Sequence, residues 1–146
     1  KEVENMSDQI IGQGPGNLVP DSEFKMFLAG AAITKGQCVS LKTGDGTASY
    51  TVVLADSNST PVQPAIGVAP EAIASGAWGK IIVSGYAPQV LSGGSVAAGD
   101  YLIPDTTAGT AVSGTLGTND GLFFGISLSA DTGSPVFCDA IIYKRI

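Results

Sequence analysis

Histidine is absent from this chain of 146 residues, and its absence excludes several kinds of chemistry. A Ser-His-Asp or Cys-His nucleophile system needs an imidazole as its base. The two cysteines, Cys38 and Cys138, are too few for a zinc site made of thiolates and too few for a disulfide framework. No phosphate-binding loop of the type that precedes a helix is present. We therefore expect no catalytic residue, no metal site and no cofactor, and we expect both thiols to be free and buried.

Charge is also scarce. Charged residues make up 14% of the chain, whereas ordinary soluble domains have about 25%. The seven basic residues are scattered and the net charge is −6, so we expect no nucleic-acid partner, because phosphate binding needs clustered Lys and Arg. No apolar run approaches the roughly 20 residues of a membrane-spanning helix, so we expect no membrane partner. A surface so poor in charge must be covered by Ser, Thr and Gly, or by another protein.

Short apolar segments are separated by glycine and proline, which occur 20 and 8 times. This punctuation is typical of many short strands joined by turns. We predict an all-β fold, a single compact β-barrel or β-sandwich of about nine or ten short strands. Closure of the sheet is expected, because open edges on so uncharged a chain would promote aggregation. One segment, Pro70–Gly76, has a helix-like pattern.

A repeated pattern organises the chain. Residues 28–41, LAGAAITKGQCVSL, recur in degenerate form as residues 91–104, LSGGSVAAGDYLIP, and each copy is followed later by an apolar-Gly-apolar marker at 66–68 or 124–126. Two copies are too few for a solenoid, so they indicate one domain built from two similar β-halves. The glycines of the pattern are predicted to form the corners of the barrel: Gly36, Gly67, Gly99 and Gly125.

Residues 1–25 differ from the rest, and they contain five of the thirteen acidic residues and a Gly-Pro-rich segment. We predict an extended N-terminal arm over 1–25 and a β-barrel domain over 26–146. Short apolar residues in the arm are candidates for contact with a partner. The alternatives are a flexible tail or an extra strand on the protein's own barrel. The candidate contact residues are Ile10, Ile11, Leu18, Val19 and Phe24.

Several other features have two readings. Trp78 and Tyr86 are predicted to be core residues, with a subunit interface as the alternative.

The sequence Asp-Thr-Gly at 131–133 matches the signature of aspartic proteases, but too little chain follows it for that fold, and a turn before the last strand explains it better. Most other aspartates lie beside Gly, Ser, Asn or Pro, where Asp bonds to nearby backbone, so they are predicted to be structural.

The pattern resembles that of the small β-barrel decoration, or cement, proteins of tailed-bacteriophage heads. The resemblance is carried by residues 33–37 with 66–68, by residues 78–85 ending in Val-Ser-Gly, and by residues 96–100 with 124–126. It covers roughly residues 28–143. Domains of the β-clip and SAF-like type share parts of the same pattern.

The resemblance implies a homotrimer that binds the major capsid protein on the outer surface of the expanded head, at three-fold or quasi-three-fold sites, and stabilises the shell. The expected location is the capsid surface of the virion, after assembly in the host cytoplasm. One alternative is another structural β-module of the virion, such as a head-fibre base, a tail-tube component or a coat component. Another is a β-clip domain that binds a ligand or acts as an enzyme.

Overall fold

A computed structural model describes residues 22–43, 50–58, 63–133 and 136–143. Four of the five candidate contact residues, Ile10, Ile11, Leu18 and Val19, lie outside these ranges.

The described residues form nine β-strands and one short 3₁₀ turn, Asp120–Leu122, with no α-helix. The predicted all-β class and strand number are confirmed. The chain enters the sheet at Ser22, within the segment predicted as the arm. The strands are β1 (Ser22–Ala29), β2 (Cys38–Leu41), β3 (Thr51–Leu54), β4 (Gly67–Val68), β5 (Trp78–Leu91), β6 (Tyr101–Pro104), β7 (Ala111–Ser113), β8 (Gly125–Ser127) and β9 (Phe137–Ile142).

The sheet closes twice, and both closures use β5. The strand order is β1-β3-β2-β4-β5-β9-β8-β6-β7, and β1 pairs again with β5, so the first five strands form a closed ring. In the second half, β7 returns to the end of β5 through a parallel bridge between Ser92 and Ala111. Closure removes the open edges that an uncharged sheet would otherwise expose. The sheet therefore forms two small rings that share one strand.

The two halves use the same pairing scheme, which confirms the prediction of two similar β-halves. Val39 pairs with Gly67 in the first half, and Leu102 pairs with Gly125 in the second. The parallel contact of β1 with β3 in the first half has its counterpart in the Ser92–Ala111 bridge of the second. The first half comprises β1 to β4 and the start of β5, and the second comprises the end of β5 and β6 to β9.

The repeated glycines make identical turns before β2 and β6. In turns 34–37 and 97–100, the fourth residue donates its N–H to the first carbonyl over 3.2 and 3.1 Å. The side chains of Gln37 and Asp100 accept the first N–H in return, at 2.7 and 2.9 Å. The third residues, Gly36 and Gly99, have φ of 86° and 89°, a conformation that residues with a Cβ rarely adopt.

The glycines of the two apolar-Gly-apolar markers, Gly67 and Gly125, allow their strands to lie very close to a neighbouring strand. Gly67 lies against the backbone of β5, where a methyl group would collide with the carbonyl oxygen of Ile82. Gly125 lies in the same way against β9, where a methyl group would be 2.6 Å from the carbonyl oxygen of Ile141. Each marker therefore allows a short strand to pack tightly on the strand that closes its half.

Two hydrophobic cores fill the halves. One lies within the first ring and is built around Phe27, Ile81 and Val83. The other lies in the second half and also receives buried side chains from the first half, including Cys38. Both cysteines are buried and free, as predicted. Burial in this core raises the pKa of the Cys38 thiol to about 12.

The helix-like reading of Pro70–Gly76 is wrong. The segment contains bends and a turn, and Ile73 forms an antiparallel bridge with Ile33 through two backbone hydrogen bonds of 2.9 Å. Ile73 is also buried in the first core. Tertiary packing and bridge formation thus outweigh the weak helix preference of a piece too short to nucleate a helix alone.

Replacement of the two corner glycines by alanine is expected to have unequal effects. Gly99→Ala should destabilise the fold by about 1–2 kcal/mol, because only the positive φ opposes a side chain there. Gly36→Ala should destabilise it by a further ~1–3 kcal/mol, because a methyl group would lie 2.7 Å from Phe137 Cε1 and 2.9 Å from the Gln89 carbonyl oxygen. Urea unfolding of both variants measures the difference, and equal losses would contradict it.

Both thiols are expected to resist modification in the folded protein. Ellman's reagent at pH 8 should detect no thiol in the native state and two after unfolding in guanidinium. Because Cys38 stays protonated in the fold but ionises near its ordinary pKa of 9.0 in the unfolded chain, stability should fall as the pH rises from 9.0 to about 12. Cys38→Ala should reduce this alkaline decline of stability without abolishing it, because the pKa values of Tyr86 and Cys138 are also raised, and a native thiol that reacts rapidly would disprove the burial.

Candidate protein-contact surface

The outer side of β1 and β5 in the first half carries exposed apolar side chains. Register places Met26 opposite Lys80 and Leu28 opposite Trp78. Because side chains alternate along a strand, Phe27 points into the ring while its neighbours point outwards. The exposed fractions of Phe24, Met26 and Trp78 are 47%, 51% and 58%. We call Phe24, Met26, Trp78 and Lys80 the first face.

A shallow groove borders the first face. It has a volume of about 310 Å³. Ile73 can lie across Gly79 because that residue has no side chain, and a methyl group on it would collide with Ile73. Lys80 Nζ lies 5.7 Å from the centroid of the Phe24 ring, so its charge sits over an aromatic face. The groove is lined by Met26, Glu71, Ala72, Ile73, Ala74, Ala77, Trp78, Gly79 and Lys80.

The expectation that Trp78 is a core residue is wrong. It is the first residue of β5 and lies on the outer side of the first ring, so more than half of the residue is exposed. Tyr86, in the same strand, is partly buried, and its hydroxyl donates to Asp139 Oδ2 over 3.3 Å. Burial raises the pKa of Tyr86, and the neighbouring Asp139 carboxylate raises it further.

Among the candidate contact residues, only Phe24 is described. It lies in β1, where it pairs with Ile82, so here the arm's alternative reading as a strand of the barrel applies. Its side chain nevertheless remains about half exposed. Phe24 is therefore placed on the first face by strand pairing, a position that its place in the predicted arm does not reveal.

The aspartates serve turns, as predicted. Asp56, Asp100, Asp105 and Asp120 each accept a hydrogen bond from a backbone N–H within three residues along the chain. No group of three or more Cys, Asp or Glu side chains that could hold a metal ion occurs in the part of the chain that the structure describes. Within the same residues, no helix has the length and apolarity to cross a membrane.

Asp131, in the Asp-Thr-Gly segment, has a structural role. Its Oδ2 accepts hydrogen bonds from Ser92 Oγ at 2.6 Å and from the Val96 N–H at 3.1 Å. These bonds lower the pKa of Asp131, that from Ser92 having the larger effect. They tie the chain before β9 to the end of β5. Gly133 has a positive φ, in keeping with the predicted turn before the last strand.

The fold is similar to that of a phage head-fibre base. The solved structure of the head fiber gp8.5 N base in bacteriophage phi29 aligns with a TM-score of 0.54, covering 84% of this chain and 95% of that chain. The sequence identity is 15%, so the likeness concerns the fold alone. No protein-family model and no curated protein matches the sequence.

Removal of the Asp131 carboxylate is expected to change stability in acid. Its pKa is lowered from 3.8, so its contribution is present above that pH and is lost as the pH falls through the folded value. Asp131→Asn should lower the melting temperature at pH 7. The variant should also show a smaller fall in melting temperature between pH 4 and pH 2 than the wild type. Melting curves from pH 7 to 2 provide the measurement. Ser92→Ala is the matched variant, and strictly additive effects in the double variant would show that the two side chains are not coupled.

Proposed function

We propose that this chain is a structural protein of a tailed-phage head that decorates the outer surface of the expanded shell by binding the major capsid protein. The observation that carries the proposal is the fold likeness to a head-fibre base, which extends over 95% of that chain. The repeated glycine pattern, with its resemblance to decoration proteins, supports the same conclusion.

The structure supplies what such a role needs. Two closed rings that share β5 make a compact body. The first face offers exposed aromatic and apolar side chains at its surface. A protein that binds the expanded lattice better than the immature one stabilises the expanded state by mass action. Many copies around one shell would add modest contacts into a large effect.

The arm and the first face are continuous in sequence, because β1 directly follows residues 1–21. In our proposal the apolar residues of the arm add contacts with the coat protein to those made by the first face. Three copies are proposed to surround each three-fold or quasi-three-fold site, after assembly in the host cytoplasm.

Binding to capsids tests the decoration role. Purified protein should cosediment with expanded heads more strongly than with immature heads, and it should raise the temperature at which filled heads release DNA. Deletion of residues 1–21 leaves β1 intact and should weaken binding without changing the melting temperature of the protein. Failure of the full chain to bind either form of head would refute the proposal.

The fold likeness also favours a second candidate, a base that attaches a head fibre. The two roles differ in distribution over the particle, because a decoration protein covers the shell whereas a fibre base occurs only where fibres are attached. Labelled electron microscopy of whole particles distinguishes them. If the label occurs only at fibre attachment points, the decoration role is refuted and the fibre-base role is supported.

A further inference from the structure

The two halves share their pairing scheme, but equivalent positions have different surroundings. In the first half, a row of paired residues crosses from β1 to β2 through β5 and β4: Phe24, Ile82, Val68 and Cys38. The last three are buried, with exposed fractions of 2%, 1% and 0%. They belong to the core of the second half, so the second half covers the outer side of the first.

The equivalent row of the second half has no further half to cover it. It crosses from β5 to β6 through β9 and β8: Tyr86, Ile141, Ile126 and Tyr101. All four side chains are partly exposed. Ile141 occupies the place of Ile82 and Ile126 that of Val68, so apolar residues are kept where burial within the chain is incomplete. We call these four residues and Asp139 the second face.

The corner glycines differ in the same way. A methyl group on Gly36 would meet Phe137 and Gln89 of the second half, and the Leu91 N–H donates to the Gly36 carbonyl over 2.7 Å. A methyl group on Gly99, at the equivalent corner, would meet nothing within 4 Å. The corner that is packed in the first half is thus open in the second half.

Charge differs at one matched position of the two faces. Lys80 pairs with Met26 on the first face, two residues after Trp78, and Asp139 stands two residues after Phe137 at the equivalent place in β9. The two faces therefore carry opposite charges at matched positions.

We propose that the first face of one copy docks on the second face of another copy, head to tail. Trp78, Met26 and Phe24 would cover the Tyr86–Tyr101 row, and Lys80 would approach Asp139. Aromatic residues at the centre and opposite charges across the contact are typical of specific protein interfaces. A contact between the first faces of two copies would instead bring their two Lys80 side chains towards each other, and like charges repel. Contacts between two different surfaces form a ring if the rotation between copies closes and an open filament if it does not, and our proposal is the closed ring. The inference does not depend on binding to a capsid.

Charge reversal tests the contact. The wild-type mass from light scattering should rise with concentration to a fixed multiple of 14.7 kDa. Lys80→Asp and Asp139→Lys should each weaken association by at least about tenfold, and the double variant should restore it. Lys25→Asp is the matched control, because Lys25 lies in the same strand pair but alternates to the opposite side from Met26. A monomeric wild type, a double variant that does not recover, or an equal effect of Lys25→Asp would overturn the proposal.

Cysteine cross-linking gives a second readout, because it captures the contact covalently instead of reversing a charge. Cys38 and Cys138 are buried and free, so introduced surface cysteines should be the reactive ones. A mixture of Lys80→Cys and Asp139→Cys chains should form a disulfide-linked heterodimer under mild oxidation, and Lys80→Cys alone should not dimerise. Efficient dimerisation of Lys80→Cys alone would instead indicate a two-fold contact and would overturn the head-to-tail arrangement.

Discussion

The fold depends on a single strand that closes two rings. The first part of β5 pairs with β1 and β4, and its second part pairs with β9. Gly85 lies between the two parts with φ of 87°, and the register with β9 shifts between Ala87 and Val90. These irregularities bend the strand, so that one continuous chain segment serves two curved sheets. The relative placement of both cores follows from this sharing.

Backbone closure explains how the protein manages with so little charge. Soluble proteins commonly protect sheet edges with charged residues, but here the strands at the ends of the order return to β5. Glycines without room for a side chain, such as Gly67 and Gly125, bring the strands close enough for this pairing. The double closure thus limits the exposure of sheet edges in a chain that has few charged residues to protect them.

The sequence allowed prediction of much of the fold, because the glycine pattern repeats where the turns repeat. The buried thiols, the short strands and the structural aspartates could also be predicted from local chemistry. Exposure could not. Ile82 and Ile141 are both isoleucines and occupy equivalent positions in the two halves, yet only Ile82 is fully buried. The reason is that the second half packs on the outer side of the first half, whereas nothing in the described chain packs on the outer side of the second. Trp78 was misjudged for the same reason, since strand pairing decides which side of a ring it occupies.

The shared strand also determines how the molecule transmits force. A load that pulls one ring away from the other along β5 acts parallel to the strand, across the ladders that join it to β1 and β9. Hydrogen bonds loaded in this direction resist together, whereas bonds loaded at right angles open one after another. We expect a molecule of this construction to be mechanically strongest along one axis, the direction of β5.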